Sequence, residues 1–127
     1  MTGDAPAAFD TETIEAFRTT EEVDVETWSA ASGARQTIVW IVVVNGVPYV
    51  RSVRGEHARW YREIREEPAA AIHVQGRRVA VRAVLADDEP SVAGVSAALA
   101  AKYPTDPAMP AMLRPEVLGT TLRLEPH

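Results

Sequence analysis

The sequence predicts a fold that is α+β but mainly β: a six-stranded antiparallel barrel with flanking helices. Three observations predict it. Six short segments carry strand patterns, hairpin-type turns join them, and 127 residues are enough for one domain. Strands this short, with few helices, favour closure into a small barrel over an open sheet. We expect residues 1–9 to form a flexible N-terminal lead-in and residues 10–127 to form the single domain.

The first half of the chain carries one helix signal and three strand signals. Asp10 or Thr11 can cap a helix. The next segment alternates polar and apolar residues, as half-buried strands do, and the one after it is apolar on both faces, as central strands are. Asn45-Gly46 is a strong hairpin signal, because both positions of a type I′ turn need positive φ. We therefore expect a helix over 10–20 and strands over 22–28, 36–44 and 47–53.

The second half of the chain mixes helices and strands again. Three apolar residues fall at helical spacing before Pro68, which ends a helix. A turn at Gln75-Gly76 separates two further strands, and an alanine-rich amphipathic helix follows them. A proline-rich loop then leads to an alternating last strand. We expect a helix over 56–67, strands over 70–75 and 78–85, a helix over 91–103, a loop over 103–115 and a strand over 118–125.

The charge of the chain is unevenly distributed. The net charge is −5, yet residues 1–30 carry −7, residues 31–82 carry +5 and residues 83–127 carry −3. An acidic chain lacks the excess cation that general nucleic-acid binding needs. The nine arginines of the basic middle suit phosphate or carboxylate groups, which a guanidinium binds with two parallel hydrogen bonds. The pattern therefore favours a small anionic ligand over a nucleic acid.

Composition excludes several other classes of function. The sequence has no cysteine, which rules out disulfides, thiol nucleophiles and thiolate metal sites. No apolar run approaches the roughly 20 residues that a membrane span needs. The start of the chain lacks the pattern of a signal peptide, and we expect a cytoplasmic protein. The histidines have no metal-ligand spacing, and phosphate-binding loops and nucleophile motifs are lacking, so any chemistry would come from a bound cofactor.

Three groups of residues are candidates for ligand binding. The strand end over 49–55 combines arginine, serine and glycine, which can aim donors at an anion, and a helix begins just after it. Trp60 and Tyr61 point about 100° apart on a helix, so one can pack in the core while the other lines a pocket. Arg78 and Arg82 share a strand face with a small residue between them. The plain alternatives are a solvated strand edge, core aromatics and an exposed edge strand.

Several short motifs, in order along the chain, carry a family resemblance. The runs YVRSVRG at 49–55, ARWYR at 58–62 and IHVQG at 72–76 resemble an uncharacterised bacterial family, domain of unknown function 2255. The runs AKYP at 101–104 and PEVLGTTLRL at 115–124 are similar to the C-terminus of that family. More distantly, the same order of elements resembles split-barrel flavin or deazaflavin reductases of the pyridoxamine-phosphate-oxidase type.

The resemblance implies a six-stranded split β-barrel and a homodimer with two ligand sites in clefts between the subunits. It also implies that basic and hydroxyl groups on the third strand and the following turn hold a phosphate or another anionic tail. The helix after that turn would lie beside the cofactor, and arginines would approach from neighbouring strands. The residues implied to bind the cofactor are Tyr49, Arg51, Ser52, Arg54, Gly55, Trp60, Tyr61, Arg78 and Arg82.

Three functions are consistent with these features. The first is an oxidoreductase-like protein that binds FMN or a deazaflavin and acts on an unknown small molecule. The alternative is a non-redox binder of an anionic or aromatic small molecule in the same dimer cleft, stacked on Trp60 or Trp40. The third is a small dimeric protein without a ligand. No metal, nucleic-acid or membrane partner is expected. Catalytic residues remain unassigned, with Tyr61, Tyr103 and His57 as candidate proton donors.

Overall fold

Six antiparallel strands close into a barrel in the computed structural model, which describes residues 8–127. The strands are β1 (Glu22–Ser29), β2 (Gly33–Val44), β3 (Val47–Val50), β4 (Ala69–Val74), β5 (Arg77–Leu85) and β6 (Leu122–Pro126). The helices are α1 (Thr11–Thr19), α2 (Arg59–Glu66), α3 (Glu89–Lys102) and α4 (Pro115–Leu118). The order around the barrel is β1-β2-β3-β6-β5-β4. The predicted fold class is confirmed, while residues 1–7 of the predicted lead-in lie outside the described residues.

The barrel is split along one edge of β2. This strand pairs with β1 from Gly33 to Trp40, but it pairs with β3 only over residues 41–44. Within residues 8–127, no strand lies beside the other edge of the first stretch. Closure comes instead from β6, which pairs with both β3 and β5. The open edge of β2 leaves room for a site between the strands and the segments that follow β3 and α3.

Two hairpin turns follow the predicted chemistry. Asn45 and Gly46 have φ angles of 52° and 77°, the left-handed pair that a type I′ turn requires. Gln75 and Gly76 repeat this geometry with φ angles of 50° and 75°. Glutamine adopts a left-handed conformation less readily than asparagine. The six residue pairs that join β4 to β5 outweigh that cost and fix the second turn.

Two apolar clusters hold the elements together. Side chains from the strands, α1 and α2 fill the barrel interior, and burying each large apolar side chain stabilises the fold by roughly 1.5–3 kcal/mol. Fully buried members of this core include Phe17, Ile41, Ile64, Ile72 and Leu122. A second cluster lies on the outer face of β2 and contains Val42, Val95, Leu99, Tyr103 and Met112. The second cluster fixes α3 against β2, next to the open edge.

The third and the last strands are shorter than predicted. β3 ends at Val50 rather than at 53, because the chain turns away at Ser52, whose amide donates to Thr120 Oγ1 at 3.0 Å. β6 begins at Leu122 rather than at 118, because α4 occupies the residues before it. Both strands lose residues at the same end of the barrel. The segment freed after β3 contributes Arg51 and Val53 to the wall of the cavity described below.

The helix predicted over 56–67 and the loop predicted over 103–115 also differ from the observed structure. The helix expected over 56–67 is divided at Ala58 into a 3₁₀ turn (Gly55–His57) and α2. The proline-rich loop contains a 3₁₀ helix, Met109–Leu113, and runs directly into α4. Proline suits the first positions of short helices, where its missing N–H is not needed. None of the helices within residues 8–127 is long and apolar enough to cross a membrane.

Candidate functional site

A cavity of about 300 Å³ opens beside the unpaired edge of β2. Its volume lies at the lower end of the range for small-molecule sites. Apolar and aromatic side chains form most of its wall, together with a nearly buried arginine and two exposed carboxylates. The lining residues are Glu22, Ile38, Val39, Trp40, Arg51, Val53, Trp60, Asp106, Ala108 and Met112. We refer to this space as the split cavity.

The aromatic wall of the split cavity is a stacked pair of rings. Trp40, on the outer face of β2, lies parallel to Tyr103, with 4.0 Å between ring centroids and 10° between planes. The Tyr103 hydroxyl donates to the carbonyl oxygen of Glu21 at 2.6 Å. Burial raises the pKa of Tyr103 to about 12, so the hydroxyl keeps its proton at neutral pH. The hydrogen bond and the stack fix the orientation of the Trp40 indole.

Lys102 ties three elements together behind this aromatic wall. Its ammonium group donates to the carbonyl oxygens of Phe17 at 2.9 Å, Thr20 at 2.7 Å and Ile41 at 2.7 Å. The first two carbonyls end α1, where main-chain acceptors lack partners within the helix. Burial lowers the pKa of Lys102 to about 8. The side chain therefore acts as a clamp between α1, β2 and the end of α3.

Arg51 occupies the inner wall of the split cavity and is only 2% exposed. Its guanidinium donates four hydrogen bonds of 2.9–3.0 Å to α3, to the 3₁₀ helix after α3 and to the residue before β6. The acceptors are Thr121 Oγ1, Ser96 Oγ and the carbonyl oxygens of Met112 and Val92. This arginine therefore holds together the elements around the cavity.

The charge of Arg51 has no counter-ion in the described part of the chain. None of the ion pairs found among residues 8–127 includes it. Burial lowers the pKa of Arg51 to about 10, which still leaves the guanidinium cationic at neutral pH. A guanidinium has five N–H donors, and the fifth, on Nη2, has no partner among the described residues. The inner wall thus offers an unpaired positive charge.

The other residues predicted on the third strand and its turn do not line the split cavity. Ser52 is fully buried, and its hydroxyl donates to the carbonyl oxygen of Gly55 at 2.8 Å. Gly55 has a φ of 68°, which favours glycine, and allows this tight turn. Arg54 is exposed to solvent, and Tyr49 packs half-buried against the outer cluster on β2. Arg51 is therefore the member of this group that reaches the cavity.

The two adjacent aromatics of α2 face different cavities. Trp60 lines the split cavity, whereas Tyr61 lines a separate cavity of about 560 Å³ that also contains Arg62 and Arg65. Their rings meet edge to face, with centroids 6.1 Å apart. Both side chains are at least nine-tenths buried, and burial raises the pKa of Tyr61. The divergence predicted for neighbouring helical residues is observed, and it places the two rings beside different cavities.

Arg78 and Arg82 lie on the outer face of β5 and do not line the split cavity. Arg78 binds the Glu26 carboxylate through Nε at 3.1 Å and Nη2 at 3.0 Å. His73 Nε2 lies 2.7 Å from the same carboxylate. Arg82 is exposed and neighbours Glu125 across the β5–β6 ladder. The structure therefore places both arginines on the outer surface of the sheet, where Arg78 forms an ion pair with Glu26.

Glu26→Gln is expected to lower the free energy of unfolding by about 1–2 kcal/mol near pH 7 and by much less near pH 3. Hydrogen bonds from Arg78 and His73 lower the pKa of Glu26 from 4.5 to about 2. The carboxylate therefore stabilises the fold above pH 4.5 and loses this effect as the pH falls towards 2. Urea unfolding at the two pH values measures the difference in the free energy of unfolding between the wild type and the variant. The exposed Glu12→Gln is the control, and an equal gap for Glu26→Gln at both pH values would contradict the prediction.

Some lining residues gave no usable signal in the sequence. Asp106, Ala108 and Met112 lie in the proline-rich segment, which has neither helical nor strand periodicity. Ser96 and Thr121, which hold Arg51, are ordinary polar residues within the helix predicted over 91–103 and the strand predicted over 118–125. A group of three or more acidic or histidine side chains suited to a metal ion is not found in residues 8–127.

A family profile matches almost the whole described chain. The family is described as an uncharacterized protein conserved in bacteria, DUF2255, and the match covers residues 13–124. This confirms the resemblance seen in the sequence motifs. No curated protein matches the sequence.

Three solved structures share the fold at low sequence identity. The heme storage protein HutZ from Vibrio cholerae has a TM-score of 0.69 and 14% identity, over 95% of this chain and 92% of its own. A protein from Listeria innocua, provisionally assigned as a pyridoxamine 5′-phosphate oxidase, has a TM-score of 0.66 and 11% identity, over 91% of each chain. An F420-H2 dependent reductase has a TM-score of 0.60 and 18% identity, over 82% of this chain and 93% of its own. Identities this low establish the split-barrel fold alone.

Proposed function

This chain belongs to the bacterial protein family DUF2255 and has a split-barrel fold, and from that premise we propose that it binds FMN or a deazaflavin in the split cavity. The bound cofactor would serve an oxidoreductase that acts on a small molecule. The observation that carries the proposal is the unpaired cation of Arg51 behind an aromatic wall. Among the structural matches, the F420-H2 dependent reductase is named for a deazaflavin cofactor.

The side chains of the split cavity fit a flavin-type group. The fixed Trp40 indole offers a flat surface on which a planar ring can stack. The free Nη2 hydrogen of Arg51 and its uncompensated charge suit a phosphate or carboxylate. When bound, such a cofactor supplies hydride or electron transfer. The chain would bind the ring, orient it and keep water from one of its faces.

We further propose that a second copy of the chain completes the site. Ile38 is 64% exposed and Val53 is 37% exposed, and both lie at the mouth of the split cavity. Large apolar side chains exposed together at a cavity mouth favour association. A volume of about 300 Å³ is small for a whole cofactor, so a cleft between two copies gives a better fit. A homodimer is therefore part of the proposal.

The alternative function is a non-redox binder of an anionic aromatic molecule in the same cavity. The observation that favours it is the placement of Ser52 and Arg54, which do not line the cavity. A phosphate monoester would then meet one arginine instead of the cluster expected from the family resemblance. A smaller aromatic anion needs only the stack on Trp40 and the charge of Arg51.

The test is a titration of the purified protein with FMN and with a reduced deazaflavin, followed by tryptophan fluorescence. We expect saturable quenching and a loss of affinity of about tenfold in Trp40→Leu, which removes the stack. Trp28→Leu is the matched control, because Trp28 is 50% exposed and lies outside the split cavity. Lack of binding below about 1 mM, or equal losses in both variants, would overturn the proposal. Tighter binding of 1-naphthyl phosphate than of FMN would favour the non-redox alternative.

A further inference from the structure

The charges of the split cavity are arranged asymmetrically. Its cationic lining residue is Arg51, which is almost wholly buried. Its acidic lining residues are Glu22, at the start of β1, and Asp106, in the segment after α3, and both are exposed to solvent. A ligand that enters the cavity therefore meets negative charge at the rim and positive charge at the inner wall.

From this asymmetry we infer that the split cavity selects planar aromatic ligands with one anionic group, which points towards Arg51, and an uncharged or cationic group at the opposite end. A second anionic group at that end would lie beside the carboxylates of Glu22 and Asp106. The inference rests on the proposed function, because it concerns the same cavity. It adds the charge pattern of the ligand, which neither the fold nor the family supplies.

The acidic rim acts on groups inside the molecule as well as on a ligand. Glu21, Glu22 and Asp106 all contribute to the raised pKa of Tyr103, whose ring backs Trp40. Their negative charge therefore reaches the aromatic wall of the cavity. Like charges repel strongly at short range where the solvent is partly excluded. Glu22 and Asp106 also line the same cavity as Trp40, so a ring stacked on the indole would lie in the field of both carboxylates.

Nearby cations do not cancel the rim. The Lys102 ammonium lies 5.4 Å from the centre of the Tyr103 ring, but its hydrogen bonds go to three main-chain carbonyls. Arg114 donates to the carbonyl oxygens of Val53 and Ala111 and does not line the cavity. Their positions leave the carboxylates as the charges that line the entrance.

The experiment compares three ligands that share one ring system: 2-naphthoate, 6-hydroxy-2-naphthoate and 2,6-naphthalenedicarboxylate. We expect the first two to bind alike and the dicarboxylate to bind about tenfold more weakly, with a smaller difference at high salt. In Asp106→Asn and Glu22→Gln the penalty on the dicarboxylate should fall by several-fold, while binding of 2-naphthoate changes little. The control is Asp87→Asn, which removes an exposed acid outside the split cavity.

Equal binding of 2-naphthoate and the dicarboxylate would overturn the inference. An affinity ratio between these two ligands that is unchanged in both Asp106→Asn and Glu22→Gln, or that shifts equally in Asp87→Asn, would also overturn it. Absence of 2-naphthoate binding would overturn it as well. Titration with FMN runs in parallel and tests the proposed function by itself. FMN binding with no discrimination between the naphthoates would leave the proposed function standing and reject the charge pattern. Discrimination between the naphthoates without FMN binding would reject the flavin proposal and keep the charge pattern.

Discussion

Arg51→Ala is expected to lower the free energy of unfolding by about 3–5 kcal/mol. The substitution leaves a void at a position that is 2% exposed and removes one hydrogen bond from each of four acceptors. Hydrogen bonds to a charged group contribute about 1.5–3 kcal/mol each, and the cost of keeping the guanidinium out of water offsets part of the sum. Urea unfolding at neutral pH, with equal slopes for both proteins, measures the difference.

Arg54→Ala is the matched control for this experiment. The side chain of Arg54 is exposed, so its loss should change stability by no more than about 0.5 kcal/mol. Arg51→Lys keeps the charge but cannot span acceptors on separate elements, so we expect an intermediate loss. A loss below about 1 kcal/mol in Arg51→Ala would mean that the side chain does not hold the fold. The two alanine variants should therefore differ clearly in stability, although Arg51 and Arg54 lie in the same sequence motif.

Lys102→Met is expected to lower the free energy of unfolding by about 2–4 kcal/mol. Methionine keeps most of the aliphatic stem but donates no hydrogen bond, so the carbonyl oxygens of Phe17, Thr20 and Ile41 lose the hydrogen bonds that the ammonium donates. Two of these acceptors end α1, so that helix should loosen first. Hydrogen exchange of α1 amides, together with urea unfolding, measures the local and the global effect.

The control for Lys102 is another cation near the same helix. Arg18→Ala removes an exposed charge that pairs with Glu15 three residues away, and such pairs contribute little. We expect a change of at most about 0.5 kcal/mol and no change in the exchange of α1 beyond its last turn. Similar losses in both variants would argue that general charge near α1, rather than the three-carbonyl clamp, accounts for the effect.

The strand pattern of the sequence predicted the architecture because barrel strands depend on local signals. Alternation in β1, the doubly apolar β2 and the left-handed pair Asn45-Gly46 are readable from neighbouring residues alone. The boundaries of β3 and β6 were less predictable. They depend on Ser52 and Thr120, whose hydrogen bond joins positions 68 residues apart. Local periodicity carries no information on such a contact.

The candidate site was predicted only in part, because burial of a charge depends on distant partners. Arg51 and Arg54 occur in one motif, yet the acceptors on α3 and before β6 bury the first and leave the second in solvent. Trp40 was predicted as one of two possible stacking surfaces, but the stack with Tyr103 that orients its indole could not be read from the sequence. The acidic rim involves Asp106, which lies in a segment without periodicity. These contacts are all long-range, and spacing cannot reveal them.

The position of β6 between β3 and β5 has a consequence for the biosynthesis of the protein. Val50 pairs with Leu122, which the ribosome adds 72 residues later. Until then both neighbouring strands present open edges, and closing so long a segment is slow compared with forming a hairpin. Thr121, which accepts from Arg51, arrives together with this last strand. The nascent chain therefore completes the barrel and the split cavity in the same step, and the cavity has no finished inner wall until the residues of β6 have left the ribosome.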